Sequence, residues 1–277
     1  MKSKLNRLLT IIIPVKNEEK NLPHCLECVK DIDHVVVVDS GSTDGTCSIA
    51  EKAGREVVQF TWNGMFPKKR NWILRNYRFK TPWVMFLDAD ELPKDDFWNE
   101  LERVLPETKY VGFWVCYDIW FLGRVLRYGV HARKTALLKI GHGEYEKIDE
   151  QRWSKLDMEI HEHLIFKGPV GSIKTHIEHH DKKTLSAYYD RHNAYSSWEA
   201  ERSQKITDYS ILTVKQRIKY FFIRSKVYPV FYFVAFYILK LGFLDGQPGF
   251  FFAIGKVCQL YHIRAKVYEV EHRDEFL

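Results

Sequence analysis

The fold is decided by three stretches of sequence: LTIIIPVKNEE at 9–19, VVVVDSGSTDGT at 35–46 and WVMFLDADE at 83–91. Each begins as a short run of apolar residues and ends in a polar loop. Such runs are typical of the buried strands of a parallel sheet. Ligands of open α/β sheets bind beyond the carboxyl ends of the strands. The three polar loops are therefore predicted to meet at one edge of a sheet and to hold a nucleotide and a metal ion there.

Predicted strands and helices alternate along this part of the chain. The polar residues at 43–46 are typical of a helix start, and Gly54 is typical of a helix end. Alternation of this kind favours a parallel α/β sheet with right-handed crossovers. The predicted strands are 9–14, 34–39, 56–60, 83–87, 110–121 and, more weakly, 136–140; the predicted helices are 19–30, 43–53, 67–78 and one from Pro93 to about Pro106. Residues 123–153 are expected to form active-site loops.

Two of the polar loops carry residue types suited to a bound nucleotide and metal. Asp88 and Asp90 follow a strand, and hard divalent cations such as Mg²⁺ or Mn²⁺ prefer carboxylate oxygens. A cation held there would neutralise the charge that grows on a leaving nucleoside diphosphate. Asp39 could accept a hydrogen bond from a base or a ribose, and the small residues after it allow close backbone approach. The sequence of this second loop is equally typical of a capped turn between a strand and a helix that binds no ligand.

Composition sets broad limits on the function. The 277 residues are enough for one domain with an appendage. The net charge of +6 suits nucleic acid, an anionic membrane or a phosphorylated substrate, without choosing among them. The apolar stretch Leu8–Val15 is too short for a secretory signal, since Glu18 and Glu19 follow it, and five scattered cysteines form no disulfide framework. We therefore expect a cytoplasmic protein.

The C-terminal region has a different composition. A linker is predicted near 203–210, so that residues 1–205 form one domain and residues 206–277 a helical appendage. Basic residues at 215–226 precede an apolar and aromatic run, Val227–Leu239. As a helix this run is about 20 Å long, whereas a bilayer core needs about 30 Å. The pattern favours a helix lying at a membrane surface, with packing on the catalytic domain or a dimer interface as the alternatives.

In this order and spacing, the three stretches resemble family 2 glycosyltransferases of the GT-A fold. Later parts of the chain resemble the subgroup of lipopolysaccharide core β-1,4-glucosyltransferases; they are HEH at 161–163, RHNAYS at 191–196 and GFLDGQPGF at 242–250. The resemblance implies an α/β fold with a mixed, mostly parallel sheet flanked by helices. It also implies a C-terminal helical extension that associates with membranes.

The resemblance assigns residues to the donor nucleotide. Pro14, Asn17 and Glu18 would line the nucleotide pocket. Asp39, with Ser40 beside it, would bind the uracil or ribose, and Asp44 would shape that loop. Lys69 or Arg70 would lie near the donor, and Asp88 would contact the ribose or the metal. These residues are Pro14, Asn17, Glu18, Asp39, Ser40, Asp44, Lys69, Arg70 and Asp88.

The same resemblance assigns the metal ligands. Asp90 would hold a divalent cation, Mg²⁺ or Mn²⁺, together with Asp88. This fold often supplies a further histidine to the metal, and His179 matches that place best, with His176 and His180 as the alternatives.

The resemblance also implies inversion by direct displacement, which needs a carboxylate to take the proton of the acceptor hydroxyl. Glu162 is the candidate base, and Glu159 and Asp157 are its competitors.

The implied reaction is transfer of glucose from UDP-glucose to a lipid-linked glycan such as the lipopolysaccharide inner core. The sequence departs from the subgroup between about 124 and 150, which leaves other UDP-sugars, another cell-envelope glycan or a polyprenyl phosphate open. The expected partners are a nucleotide sugar, the lipid-linked acceptor and an anionic membrane surface, but not nucleic acid. The expected location is the cytoplasmic face of the inner membrane.

Three other protein classes share single features with the chain. His176, His179 and His180 match one histidine box of a membrane di-metal oxidase, but that class needs several boxes. A nucleotidyltransferase would carry a glycine-rich loop after its first strand, and 14–19 has no glycine. A non-catalytic nucleotide-sugar-binding scaffold would have no need of the acid pair and a base.

Overall fold

The computed structural model describes residues 4–147, 163–206, 214–223 and 225–276. The chain divides into two compact units. The first consists of Met1–Trp120 and His131–Lys182, and the second of Phe121–Val130 and Lys183–Leu277.

The first unit is an α/β structure. Its helices are α1 (Leu22–Cys28), α2 (Thr46–Lys52), α3 (Lys69–Asn76) and α4 (Asp95–Val104). The strands are β1 (Leu9–Val15), β2 (Val35–Asp39), β3 (Glu56–Gln59), β4 (Trp83–Phe86), β5 (Glu91–Leu92), β6 (Gly112–Phe121), β7 (Arg124–Leu126, which lies in the second unit), β8 (Ala132–Lys139), β9 (Gly143–Tyr145), β10 (Leu164–Phe166), β11 (Val170–Ser172) and β12 (Ile177–His179). The main sheet has the order β3-β2-β1-β4-β8-β6-β12-β5.

The central strand β1 sets the direction of its neighbours. It pairs in parallel with β2, where Val15 lies opposite Asp39, and in parallel with β4, where Ile12 lies opposite Phe86. The polar loops after β1, β2 and β4 therefore leave the sheet at the same edge, as the sequence predicts. Because β8 runs antiparallel to β4 and β6, the sheet is mixed. The expected fold class, a mixed and mostly parallel sheet flanked by helices, is confirmed.

Both faces of the sheet are covered, which explains the unbroken apolar runs. Successive side chains of a strand point to opposite faces. Ile11 and Ile13 accordingly enter one core with Phe97, Trp98 and Phe113, whereas Ile12 enters the other core with Phe86. Strands of this kind show no alternation of polar and apolar residues because neither face meets water.

The prediction of loops at 123–153 is wrong for β8. This strand spans Ala132–Lys139 and lies inside the sheet, hydrogen-bonded to β4 on one side and to β6 on the other. Its first half contains Arg133 and Lys134, whose charges hide the strand pattern, so that only the weak run 136–140 was visible in the sequence. Its partners on both sides satisfy the backbone groups, which outweighs the low strand propensity of lysine.

The second unit is mainly helical. Its helices are α5 (Leu185–Lys205), α6 (Val214–Ile223), α7 (Tyr228–Phe233), a π-helix (Val234–Leu239), a 3₁₀ helix (Gly242–Asp245), α8 (Gly246–Glu271) and α9 (Arg273–Phe276). Helices α5, α6 and α8 share a small core that contains Ala200, Tyr220 and Val267. The C-terminal segment of this unit begins at Lys183, whereas the sequence predicts a boundary at 205/206. The difference arises because α5 packs against α8.

One polar contact fixes the loop 121–130 within this unit. The Asp245 carboxylate is buried and accepts hydrogen bonds from the backbone N–H groups of Arg127, at 2.9 Å, and Tyr128, at 3.0 Å. Across the described part of the chain, no single helix is long and apolar enough to cross a membrane. Tyr228–Leu239 and Gly242–Glu271, bent by 72°, pass that test of length and composition only as a pair.

Candidate functional site

The loops after β1 and β2 are joined by hydrogen bonds. The Asn17 side-chain oxygen accepts from the Thr43 N–H at 2.8 Å, and the Asn17 N–H donates to the Ser42 hydroxyl at 2.9 Å. The Glu18 N–H donates to the Thr46 hydroxyl at 2.8 Å. Asn17 has a φ of 56°, a left-handed conformation that asparagine tolerates better than most residues. The two polar loops therefore form one folded surface.

Asp39 organises the second loop from within. Its carboxylate is almost fully buried and accepts from the N–H groups of Gly41 and Ser42 and from the Ser42 hydroxyl. Burial acts to raise the pKa of Asp39, but these hydrogen bonds outweigh it, so the net pKa is lowered. Asp44 plays a similar part at the start of α2, where it accepts from the Thr46 N–H and hydroxyl. Asp39 is thus used by its own loop, whereas Asp44 also accepts from the Glu19 N–H of the first loop at 3.3 Å.

The backbone ties the remaining predicted nucleotide-binding residues to this edge. Pro14 lies in β1 opposite Val38 of β2. The Ser40 N–H donates to the carbonyl oxygen of Val15 at 3.1 Å. Lys69 is buried, and its ammonium group donates to the same carbonyl at 3.2 Å. The start of α3 is thereby held against the end of β1.

Asp88 is the centre of an ion-pair network. One of its carboxylate oxygens lies 2.9 Å from the Arg70 guanidinium, and the other lies 2.5 Å from the Lys134 ammonium. Lys134 also lies 2.5 Å from the carboxylate of Glu91, which is only 1% exposed. Arg70 further stacks over the ring of Tyr145 at 5.2 Å. Two carboxylates and two cations thus share one small volume at the carboxyl edge of β4.

The charges in this network shift the titration of its members. Burial acts to raise the pKa of Asp88, but Lys134 and Arg70 outweigh it and hold the pKa well below its usual range. Burial raises the pKa of Glu91 to about 7, against the opposing charge of Lys134. The pKa of Lys134 is also raised, because Asp88 and Glu91 together outweigh the effect of its burial. Asp88 is therefore ionised at neutral pH and paired with cations.

The predicted metal ligands Asp90 and His179 are brought together. His179 lies in β12, which pairs antiparallel with β5 so that His179 is opposite Glu91. The Nε2 atom of His179 is 3.5 Å from a carboxylate oxygen of Asp90, and both side chains remain partly exposed. The backbone of the next residue, His180, donates to the Asp90 carbonyl oxygen at 2.8 Å. His176, by contrast, pairs with Asp118 at 2.7 Å.

A divalent cation fits the donors at Asp90 and His179. A carboxylate oxygen and an imidazole nitrogen 3.5 Å apart suit a cation that would take its remaining ligands from water and from a diphosphate. No group of three or more His, Cys, Asp or Glu side chains among the described residues forms a fuller metal cage. Asp88 already has a cation at each oxygen, so Asp90 and His179 are the better-placed ligands.

The candidate base Glu162 lies outside the described residues, as do Glu159 and Asp157. The residue after Glu162 is anchored, because the carbonyl oxygen of His163 accepts from the Glu146 N–H at 2.9 Å, beside the β9–β10 pair.

Sequence reasoning missed three residues of this site. Glu91 follows the predicted acid pair directly, and its position next to Asp90 was the only available signal. Lys134 lies on the unexpected strand β8. Tyr117 of β6 has a buried hydroxyl without a hydrogen-bond partner among the described residues, and the Lys134 ammonium lies 5.3 Å from its ring centre. No local sequence pattern marks Lys134 or Tyr117, because both reach the site through pairing between strands that are distant in sequence.

The family model for glycosyl transferase family 2 matches residues 10–168, which include β1, β2, β4 and the acid pair. The chain belongs to glycosyl transferase family 2. The recognition of this family from the three stretches is confirmed, and the chain is therefore an enzyme of the glycosyltransferase class. The polar loops of this family 2 protein lie at the carboxyl edge of the sheet because β1 pairs in parallel with β2 and β4.

Curated relatives extend the comparison beyond the family model. The lipopolysaccharide core biosynthesis glycosyltransferase LpsC of Rhizobium meliloti is 25% identical over 94% of this chain and 92% of its own length. An uncharacterised glycosyltransferase of Rickettsia typhi is 24% identical over 94% of this chain and 87% of its own length. A TPR repeat-containing protein of Synechococcus elongatus is 32% identical over 42% of this chain, but this chain spans only 29% of that protein.

Solved structures overlap with this chain over a smaller part. A glucosyl-3-phosphoglycerate synthase from Mycobacterium tuberculosis, solved with Mn²⁺, UDP-glucose and phosphoglyceric acid, is 23% identical, with a TM-score of 0.35, over 42% of this chain and 45% of that chain. The same enzyme with Mg²⁺ and UDP has a TM-score of 0.34.

The ion-pair network can be tested through stability. Lys134→Met leaves the buried Glu91 carboxylate beside Asp88 without the ammonium between them. Because Lys134 is itself a third exposed, we expect a loss of about 1–3 kcal/mol in the free energy of unfolding, measured with urea at neutral pH. Adding Glu91→Gln to this variant should recover part of the loss, since Glu91, whose pKa is about 7 even beside Lys134, must otherwise take up a proton to avoid an unpaired charge.

Lys109→Met is the matched control, because Lys109 is exposed and its ammonium lies 5.8 Å from the ring centre of Tyr110, with no ion pair among the described residues. It should change the free energy of unfolding by less than about 0.5 kcal/mol. A Lys134→Met protein as stable as the control, or a double variant less stable than Lys134→Met alone, would contradict a bridging role for Lys134.

Proposed function

We propose that this family 2 enzyme transfers a single sugar, with inversion, from a UDP-sugar to a lipid-linked glycan. The observation that carries the proposal is the convergence of Asp90 and His179 beside the cations Arg70 and Lys134 at one edge of the sheet. The proposed donor is UDP-glucose, and the proposed acceptor is the lipopolysaccharide inner core. Likeness to a lipopolysaccharide core biosynthesis enzyme over nearly the whole chain supports this choice.

The charges of the site suit a nucleoside diphosphate. Arg70 and Lys134 would face the negative diphosphate, and Asp90 and His179 would hold a divalent cation against it. Such a cation, when bound, supplies positive charge to the leaving diphosphate. Asn17 and Asp39 keep the two loops in place around the nucleotide through the hydrogen bonds described above. The chain's own residues thus fix the donor and shield its developing charge.

The acceptor hydroxyl must lose a proton as it attacks the anomeric carbon. A carboxylate within hydrogen-bond reach of that hydroxyl takes the proton. Glu162 is the proposed base, and the anchored backbone of His163 fixes the chain directly after it.

A membrane surface is the proposed location of the acceptor and of the protein, on the cytoplasmic face of the inner membrane. The second unit exposes many large apolar side chains between α7 and the first turns of α8. We call this set the C-terminal apolar face; it comprises Val230, Phe231, Ile238, Leu239, Leu241, Phe243, Leu244, Phe250 and Phe251. Lys240 lies within it, and its ammonium group is 4.2 Å from the ring centre of Phe236. Exposed apolar side chains beside a lysine suit the interface of an anionic bilayer.

Binding of the donor is tested with UDP and Mn²⁺. UDP at a hundred times its dissociation constant should stabilise the protein by about 2.7 kcal/mol, seen as a rise in melting temperature. Asp90→Ala and His179→Ala should lose the part of this rise that depends on Mn²⁺. His176→Ala should keep it, because His176 pairs with Asp118 instead. Equal stabilisation of the His179→Ala and His176→Ala proteins would contradict the assignment of His179.

The role of Glu162 is tested by glucose transfer from UDP-glucose to extracted inner-core lipopolysaccharide. Glu162→Gln should lower kcat about 10²–10⁴-fold, because the amide cannot take the proton, and should leave UDP binding unchanged. Glu159→Gln and Asp157→Asn are the matched controls and should stay near wild-type activity. A fully active Glu162→Gln protein would refute the base, and inactivity of one control alone would move the role to that residue.

Membrane binding is tested by sedimentation with anionic vesicles. Phe231 and Leu239 are 65% and 74% exposed, so Phe231→Ser with Leu239→Ser should weaken binding by about tenfold or more while leaving the melting temperature unchanged. Ile165→Ser is the control, because Ile165 is 61% exposed in the first unit, and it should bind as wild type does. Wild-type sedimentation of the double variant would argue against the C-terminal apolar face as the membrane contact.

A further inference from the structure

Helices α5 and α8 enclose a group of cations to which the transfer reaction assigns no role. The ammonium of Lys256 lies 3.2 Å from Nε2 of His192 and 3.2 Å from the side-chain oxygen of Gln259. Nδ1 of His192 lies 2.8 Å from the carbonyl oxygen of Tyr188, so Nδ1 carries the hydrogen and Nε2 accepts from Lys256. Arg191, the residue before His192, adds a second full positive charge close to Lys256.

No carboxylate balances Lys256 within the part of the chain that the structure describes. Burial, with Arg191 nearby, lowers the pKa of Lys256 to about 8. Burial and the charge of Lys256 lower the pKa of His192 to about 4. A partner carboxylate would have moved both values upward. A partly buried cation with a neutral imidazole and an amide as its partners costs folding free energy, and such groups cluster at binding sites.

Lys266, a second lysine of α8, has a purely structural role. The Lys266 ammonium, which has three N–H donors, lies within hydrogen-bond distance of four oxygens of α5: the carbonyl and side-chain oxygens of Asn193 and the hydroxyls of Ser196 and Ser197. These bonds join the two helices by themselves. The stretch RHNAYS at 191–196 therefore contacts two lysines of α8. Asn193 and Ser196 bind Lys266, whereas Arg191 and His192 lie near Lys256.

The surroundings of Lys256 are aromatic. The ring of His192 lies 3.9 Å from that of Tyr188, and the Lys256 ammonium lies 5.6 Å from the ring centre of Phe252. Phe250 and Phe251, which belong to the C-terminal apolar face, lie on the preceding turns of the same helix and are exposed. An anion bound at Lys256 would thus lie within two turns of exposed apolar side chains of α8, which stand about 120–140° around the helix from Lys256 and within reach of the chain of an amphiphile.

We propose that Arg191, His192 and Lys256 form a binding site for the phosphate group of an amphiphilic ligand. Arg191 would supply a planar guanidinium that can form paired hydrogen bonds, and Lys256 would supply a point charge. His192 would hold Lys256 in place as its neutral acceptor. That the ligand is the lipid-linked acceptor of the transferase rests on the proposed function, whereas the binding of a phosphate does not.

The test uses the full-length protein and two probes. The first is glycerol 1-phosphate, measured by calorimetry, and the second is vesicles of phosphatidylcholine with and without phosphatidic acid. Lys256→Met should weaken binding to phosphatidic acid vesicles at least tenfold, while Lys256→Arg should stay within about threefold of wild type. Loss of vesicle binding together with loss of glycerol phosphate binding supports a site for the phosphate itself. If glycerol phosphate does not bind the wild type and Lys256→Met loses vesicle binding, the site also needs the apolar chain. If Lys256→Met binds glycerol phosphate as wild type does, the phosphate is not held at Lys256 and the proposal fails.

Lys266→Met is the matched control on the same helix. It should lower the melting temperature, because it removes the hydrogen bonds of the ammonium to α5, but it should not change the affinity for either probe once the protein is folded. Arg191→Gln gives a second reading if Lys256→Met folds poorly, and it should weaken binding in the same way. The site is overturned if Lys256→Met binds both probes as wild type does, or if Lys266→Met loses affinity equally. Failure of UDP to stabilise the protein would overturn the donor assignment without affecting this result.

Discussion

The parallel pairing of β1 with both β2 and β4 is the constraint on which the site depends. Parallel strands end at the same edge, so one register decides where three polar loops meet. A shift of β2 by a single residue against β1 would turn Asp39 to the opposite face of the sheet. The two apolar cores hold this register, because Ile12 and Ile13 must each enter a different core. Packing far from any ligand therefore determines the geometry of the donor loops.

The same edge of the sheet brings several charged side chains together at the end of β4. Asp88, Asp90 and Glu91 bring three carboxylates within four residues, and a buried set of like charges is unstable without compensation. Arg70 arrives from α3 and Lys134 from β8, each from a different part of the chain. The protein therefore carries much of the positive charge that its acids need, and the charge of a bound cation would act mainly on a diphosphate.

The sequence predicts the parts of this arrangement that are local. Apolar runs indicate β1, β2 and β4, and the position of the acid pair follows from them. The resemblance to a known family singles out His179, which the structure brings to Asp90. Lys134 could not be predicted, because its strand reads as a charged loop and its contact with Asp88 depends on pairing across the sheet. Glu162 stays a prediction, since it lies outside the described residues.

The hydrogen bonds between the first two loops have a consequence for the entropy of donor binding. The chain itself joins Asn17 to Thr43 and Glu18 to Thr46, and Asp39 is satisfied by its own loop. The conformational entropy of these residues is therefore lost when the chain folds and not when a nucleotide arrives. Because a rigid receptor loses less conformational entropy on binding, more of the contact energy between protein and ligand contributes to the affinity. It also adapts poorly to ligands of another shape, so selectivity for the proposed nucleotide would follow from the stiffness of the loops as well as from their chemistry.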